Sequence, residues 1–391
     1  MIYDFDTIVP RRGSNCAKWD TTAEGVLPMW IADMDFRTAP AVVEALRRRT
    51  EHGIFGYTHL PQEYYAAVCS WFSRRYGWQI DPQTILYTSG VVPAVSVTLK
   101  AVARPGDKVL VMTPVYNCFF SSIRNMECTA EQIPLTWTRD GYRIDFEALE
   151  RAAADPSASV MLLCNPHNPG GRVWTRDELR HLGEICLRHG VFVVSDEIHC
   201  DLTFNGHRYT PYATLGEEFA RHSASCISPT KSFNIAGLQI ANIVAVDEDV
   251  RRRIDRAINI FEVCDVNAFG FEALIAAYTE GEEWFEALRE YIWGNYLYLK
   301  EFFAERLPDL GVMPLEGTYL AWIDCRGMGM SSSELTQRLE SGFGLLLSSG
   351  TVYGAAGEGF LRLNMACPRS LLSEGLARLE RCFKLQKNYK K

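Results

Sequence analysis

The chain has no apolar run approaching the roughly 20 residues that a helix needs to cross a bilayer, so no membrane partner is expected. Its opening residues, Met1 to Asp6, offer neither a basic patch nor an apolar stretch, and no secretory signal is expected there. It lacks any Cys-x-x-Cys pair and any Cys/His cluster with zinc spacing, although 12 cysteines are scattered from Cys16 to Cys382. No metal site is therefore expected. The thiols read as reduced, in a cytoplasmic setting, where cysteine serves as a small buried apolar residue. An excess of positive charge is also lacking. The formal net charge is -8, which argues against nucleic acid as a partner. There is no internal repeat and no low-complexity linker.

What remains is an ordinary globular composition over 391 residues, enough for two or three domains and a large core. The middle of the chain alternates β-branched runs with helical stretches, the pattern of a mostly parallel sheet covered by helices. Strands are expected at 84–87, 108–112, 159–164 and 191–195, with a short apolar-to-polar run at 226–228. A helix should open at Thr175, where Glu178 completes a capping box, and close at Gly190. From Glu282 to Arg306 aromatic and charged residues recur at helical spacing. Short strands follow at 319–323 and 360–364, which suggests a smaller α+β unit. The distinctive polar residues fall where strands end, and open α/β sheets bind ligands outside those ends.

Lys231 lies between the 226–228 run and an apolar, small-residue stretch, Phe233 to Leu238. Lysines are commonly solvated surface residues. One that is partly desolvated loses its charge readily, as nucleophilic attack and proton transfer require. Asp196 closes an apolar strand, where a carboxylate is costly unless paired. A helix cap, a structural ion pair and a cationic ligand are all open as its partner. Asn168, in Asn165-Pro166-His167-Asn168-Pro169, is a turn residue or an amide donor. Gly90, Val91 and Val92 follow a strand and open a helix, so their N–H groups suit a phosphate. Tyr116 also follows a strand and is either a packed core aromatic or a ring that stacks on a flat ligand. Arg362 interrupts an apolar run, as an internal ion pair or a fork for a carboxylate. His181 and His189 look solvated.

Taken in order, Asn168, Asp196 and Lys231 match what pyridoxal 5'-phosphate demands. These are an amine for its aldehyde, an anion for its ring nitrogen, and a donor for its ring oxygen. With these residues the chain resembles fold-type I pyridoxal-phosphate enzymes, and more narrowly the MalY/PatB group of cystathionine β-lyases. The resemblance runs almost end to end. It rests on Tyr3-Asp4-Phe5-Asp6, Lys18-Trp19-Asp20, Trp30-Ile31-Ala32-Asp33-Met34-Asp35-Phe36, Phe55-Gly56-Tyr57, Asn165-Pro166-His167-Asn168-Pro169, Asp196-Glu197-Ile198-His199, the Lys231 segment and Arg362-Leu363-Asn364.

The resemblance implies an α/β, aspartate-aminotransferase-like fold. Residues 1–45 would line the active site and pack with a small domain, 46–283 would form the large cofactor-binding domain, and 284–391 the small one. It implies a homodimer with shared active sites, in which Tyr57 reaches the cofactor phosphate of the neighbouring subunit. Trp30 to Ala32 would line the substrate pocket, and Arg362 would hold the substrate carboxylate. Two positions depart from the wider superfamily. His199 stands where many members carry a tyrosine, and Gln239 where many carry a basic residue. The phosphate would then depend more on Ser228, Gly90 and Tyr57. The implied reaction is α,β-elimination on a small amino-acid thioether, giving thiol, pyruvate and ammonia. An aminotransferase using the same residues, and a regulatory binding protein that keeps the fold, are the alternatives.

Overall fold

A computed structural model describes residues 3–138, 140–262 and 264–389; Met1 and Ile2 of the opening stretch lie outside them. Helices α1 (Pro40–His52) and α2 (Gln62–Tyr76) precede the main sheet. The sheet has seven strands: β1 (Ile85–Thr88), β2 (Lys108–Thr113), β3 (Thr129–Pro134), β4 (Ala158–Cys164), β5 (Phe192–Asp196), β6 (Ser223–Ile227) and β7 (Ala241–Val244). Their order is β1-β7-β6-β5-β4-β2-β3. The pairs among β3, β2, β4, β5 and β6 are parallel, whereas β7 runs antiparallel to both of its neighbours. The carboxyl ends of β1, β2, β4, β5 and β6 therefore share one edge. The strands expected at 84–87, 108–112, 159–164 and 191–195 are present with ends within a residue of expectation, and the run at 226–228 is the end of a strand that starts at Ser223.

Both faces of the sheet's centre are buried, so β2, β4 and β5 are nearly continuous apolar runs, whereas the edge strand β3 is polar and largely exposed. Alternate residues enter opposite cores. Leu110, Met112, Met161, Leu163 and Val193 pack on one side, and Val109, Val111, Val160, Leu162 and Val194 on the other. Helix α3 (Val91–Val102) follows β1. Helix α4 (Arg176–His189) opens with the expected capping box, in which Thr175 Oγ accepts the Glu178 N–H at 3.1 Å and the Glu178 carboxylate accepts the Thr175 N–H at 2.8 Å. It closes at Gly190, whose φ of 67° is a left-handed conformation that glycine takes without strain. His189 departs from expectation. It is half-buried, with Nε2 2.5 Å from Glu150 Oε1, because Glu150 lies on a neighbouring helix facing it. His181 is exposed, with its ring edge-on to Phe146 at 4.3 Å.

Helix α5 (Gly270–Glu280) gives way at Gly281 to the 25-residue α6 (Glu282–Arg306). A second sheet follows, built of β8 (Gly311–Val312), β9 (Leu320–Asp324), β10 (Ser348–Ser349) and β11 (Phe360–Asn364) in the order β8-β9-β11-β10, all antiparallel. The amino-terminal segment is built into this second unit. Leu27-Pro28 pairs in parallel with Leu345-Leu346. Asn364 donates through Nδ2 to the carbonyls of Ile31 at 2.7 Å and Asp33 at 2.6 Å. A buried ion pair, Lys18 Nζ to Asp35 Oδ2 at 2.6 Å, is joined by Arg11 and by the indole N–H of Trp19. The Trp30–Phe36 motif is thus a braced strap.

Candidate active site

The strand ends and the strap enclose a cavity of 630 Å³. Trp30, Ala32, Gly90, Val91, Val92, Tyr116, Asn168, Asp196, His199, Lys231 and Arg362 all line it. Asp196 is the last residue of β5, flanked by Cys164 of β4 and Cys226 of β6, so both sides of its backbone are fixed. Its side chain is buried and accepts the Ile198 N–H at 3.1 Å. Burial pushes its carboxyl up to about 7, and the nearby Lys231 charge pulls it back. Such a group is stabilised as an anion by any cation placed beside it.

Lys231 Nζ donates to the Ala32 carbonyl at 2.6 Å. Desolvation brings its amine down to about 8; Asp33 and Asp196 act to raise it and Arg362 to lower it. An amine so placed exists in both protonation states near neutrality. Behind it, Ser232 Oγ donates to the buried Asp201 carboxylate at 2.7 Å, and Trp71 Nε1 donates to the same group at 2.9 Å. The Lys231 backbone is thereby tied to α2. Asn234, two residues further on, accepts the Met34 N–H at 3.0 Å and donates to the Met34 and Phe36 carbonyls. It ties the strap to the lysine segment.

Arg362, in the middle of β11, is buried on three supports. Nη1 donates to Asn168 Oδ1 at 3.1 Å, Nη2 donates to the Trp30 carbonyl at 2.7 Å, and the guanidinium lies 4.9 Å from the Tyr353 ring centroid. The ion pair within the small domain that its sequence left open does not appear among these contacts. Because Asn168 accepts from Arg362 through Oδ1, its amide nitrogen is left as the donor.

His199 is buried, and its Nδ1 has no hydrogen-bond partner. Burial, with the Lys231 and Arg362 charges, pushes the ring down to about 3, so it is neutral. Burial raises the Tyr116 hydroxyl well above the ordinary phenol range, with Cys118 beside it. At the start of α3 the first N–H groups have no partner within the helix, and Gly90 to Val92 put them on the cavity wall.

Two sequence-predicted residues stand elsewhere. Ser228 does not line the cavity. Its hydroxyl donates to the Ile240 carbonyl at 2.6 Å and lies 2.8 Å from Thr230 Oγ, and Thr230 is the one on the wall. Tyr57 is 99% exposed in the connection between α1 and α2, beside Asp265 and Val266, and does not line this chain's cavity. Sequence reasoning missed several wall residues, among them Cys118, Thr230, Ser348, Ser349, Val352 and Tyr353. Of these six, Cys118 and Thr230 had a usable signal, being close to Tyr116 and Lys231. The other four come from the small unit, and their placement depends on tertiary packing. Gln239, noted only as a departure, also lines the wall.

A neutral imidazole with an unmet nitrogen, an uncompensated buried acid, a desolvated amine and a row of helix-start N–H groups in one cavity fit a flat, cationic, phosphorylated aldehyde. The fold and this site define a class of cofactor-dependent amino-acid enzymes. The family model for aminotransferase class I and II matches residues 25–379. The chain is 43% identical to cystathionine beta-lyase PatB of Bacillus subtilis, over 96% of this chain and 99% of that one. It is 36% identical to protein MalY of Escherichia coli, over 97% and 98%. Among solved structures it is similar to cystalysin of Treponema denticola, which contains pyridoxal 5'-phosphate, with a TM-score of 0.95 and 34% identity over 98% and 99% of the two chains. The chain belongs to the aminotransferase class I and II family and, within it, to the group that includes PatB and MalY.

Proposed function

We propose that this protein is a pyridoxal-phosphate-dependent carbon–sulfur lyase that cleaves cystathionine or a related cysteine thioether to a thiol, pyruvate and ammonia. The observation that carries the reading is the convergence of Lys231, Asp196, Asn168 and Arg362 on one cavity in a chain 43% identical to a cystathionine beta-lyase. When bound, pyridoxal phosphate supplies an aldehyde for the substrate amine and a cationic ring that draws electron density from Cα.

The protein residues do the rest. Lys231 anchors the aldehyde. Once its amine is free, it takes the Cα proton, a task suited to an amine brought down to about 8. Asp196 keeps a proton on the ring nitrogen by opposing its charge. Asn168 donates to the ring oxygen, Tyr116 covers a ring face, and the N–H groups of Gly90, Val91 and Val92 receive the phosphate. His199 offers a neutral ring nitrogen beside the cofactor. Arg362 is held ready as a fork for the α-carboxylate, with Trp30 and Ala32 forming the adjoining wall. The sulfur leaves as a thiolate, with the Lys231 ammonium as the proton source at hand.

Further parts of this reading concern organisation. Residues 1–45 act as the strap, 46–283 as the large domain and 284–391 as the small one; the two separate sheets support this division. The working form is a homodimer with shared sites, supported by exposed Ile54, Phe55 and Tyr57, 67%, 53% and 99% accessible. In it Tyr57 of each copy serves the phosphate of the other. Ser228 acts on the phosphate through Thr230. The 12 free thiols support a cytoplasmic setting.

Pyruvate and free thiol should appear from cystathionine, cystine or S-alkylcysteines without added keto acid. Amino transfer to a keto acid, with neither pyruvate nor thiol formed, would establish the aminotransferase reading instead.

A further inference from the structure

Asp196 and Lys231 have to meet opposite ends of one flat cofactor, its ring nitrogen and its aldehyde, so the spacing between them matters. The sheet fixes only one of the two. Asp196, at the end of β5, is in register with Cys226 of β6. β6 stops at Ile227, and Lys231 lies beyond it in a turn, outside the reach of the strand ladder. The lysine is held at its tip, through Nζ on the Ala32 carbonyl. An amine committed to an aldehyde gives up that contact, and its place then depends on its own backbone.

One side chain spans the gap. Asp201 lies in the turn that follows β5. That turn is closed by the Cys200 N–H on the Glu197 carbonyl at 3.0 Å and the Leu202 N–H on the His199 carbonyl at 2.9 Å. Asp196, His199 and Asp201 are therefore carried together. The buried Asp201 carboxylate turns one oxygen to α2, where it accepts the Trp71 indole N–H at 2.9 Å and the Tyr76 hydroxyl. Its other oxygen accepts Ser232 Oγ at 2.7 Å, from the residue next to Lys231. Arg75 opposes the charge only loosely. Its Nε is 3.8 Å away and makes no hydrogen bond, while its other nitrogens serve Glu282 at 2.9 Å and Glu286 at 2.6 Å. A buried charge adds little to stability that packed apolar groups of similar volume could not. What a fully hydrogen-bonded carboxylate does supply is a single geometry.

We propose that Asp201 is a positioning residue for the cofactor lysine: through Ser232 Oγ it sets Lys231 at a fixed distance from Asp196, so that one ring reaches both. The proposal rests on the cofactor reading of Lys231, and it holds whether elimination or amino transfer follows.

Ser232→Ala removes the link and leaves Asp201 with both of its α2 donors, so the fold is retained. In the holoenzyme, kcat and kcat/KM should fall together by ~10²-fold, the cost of a misplaced reacting group, with KM unchanged. The visible circular dichroism of the bound cofactor, which reports a fixed ring orientation independently of turnover, should weaken. Asp201→Asn should show both changes more strongly; if that variant fails to fold, Ser232→Ala decides alone. A purely structural role would lower the melting temperature of Ser232→Ala while kcat and the dichroism per bound cofactor stay at wild-type values, and that result overturns the proposal. Borohydride mapping of the wild type keeps the two levels apart. Cofactor on a lysine other than Lys231 sinks the cofactor reading, whereas cofactor on Lys231 with an unaltered Ser232→Ala sinks the positioning role alone.

Discussion

Lys231 Nζ and the carbonyl oxygen of Ala32 are 2.6 Å apart, joined across 199 residues of sequence. The same carbonyl accepts the Tyr319 hydroxyl at 2.9 Å. The amine is therefore held at the seam between the strap, the small sheet and the large domain. Its position depends on all three.

The strap is held by buried charges, and breaking them has a predictable cost. Lys18→Met leaves the buried Asp35 carboxylate with Arg11 and Trp19 but without its shortest partner. Stability should fall by about 3 kcal/mol, the lower end for losing one member of a buried pair. Denaturant titration measures it, and a change below about 0.5 kcal/mol, the scale of surface substitutions, would show that the pair contributes little.

Asp196 gives a pH signature. Burial holds its carboxyl at about 7, against 3.8 for the solvated group. In the cofactor-free protein the folded chain keeps a proton that the unfolded chain has released. The stability this group contributes is full below pH 3.8 and is lost as pH rises through about 7. Asp196→Asn removes that dependence. Between about pH 5 and about pH 8 the variant should lose less stability than the wild type, by at most about 2.5 kcal/mol. Identical pH dependence in both proteins would contradict the assignment. In the holoenzyme the same substitution should lower kcat by about 10²–10³-fold, as loss of one preorganised electrostatic partner does.

Arg362→Lys keeps the charge but not the fork. It cannot satisfy Asn168, the Trp30 carbonyl and a carboxylate together. A rise in KM of about 10–100-fold is expected, the equivalent of one hydrogen bond to a charged group. A change confined to kcat would mean that Arg362 does not bind the substrate carboxylate.

Tyr57 tests the shared site. Tyr57 is 99% exposed in the single chain, so Tyr57→Phe should leave the melting temperature of the cofactor-free protein unchanged while weakening cofactor retention about 10-fold, through one lost hydrogen bond to phosphate. Unaltered retention on dialysis would remove Tyr57 from the phosphate site.

Much of this site was legible in sequence because strand ends are. Asp196 and Asn168 follow uninterrupted apolar runs, and the capping box at Thr175 fixes where the intervening helix starts. The motif around Trp30 signalled importance but not its cause. The ties from Asn364 and Asn234 that hold the strap are non-local, and neither shows in a pattern of apolar spacing. The burial of His189 is hidden from the sequence for the same reason: its partner Glu150 lies 39 residues away on another helix. Tyr353 and Val352 sit in short turns whose positions are set only when the small sheet packs. Ser228 shows a subtler limit. Proximity to Lys231 placed it near the site, but the direction of its hydroxyl, toward Ile240, is a matter of rotamer and backbone turn.

The most direct test of Lys231 as the cofactor lysine is peptide mapping of the holoenzyme after borohydride reduction. A single pyridoxyl-modified peptide containing Lys231, absent in Lys231→Ala, is the expected result. A modified peptide that contains another lysine, or an adduct that persists unchanged in Lys231→Ala, would contradict it.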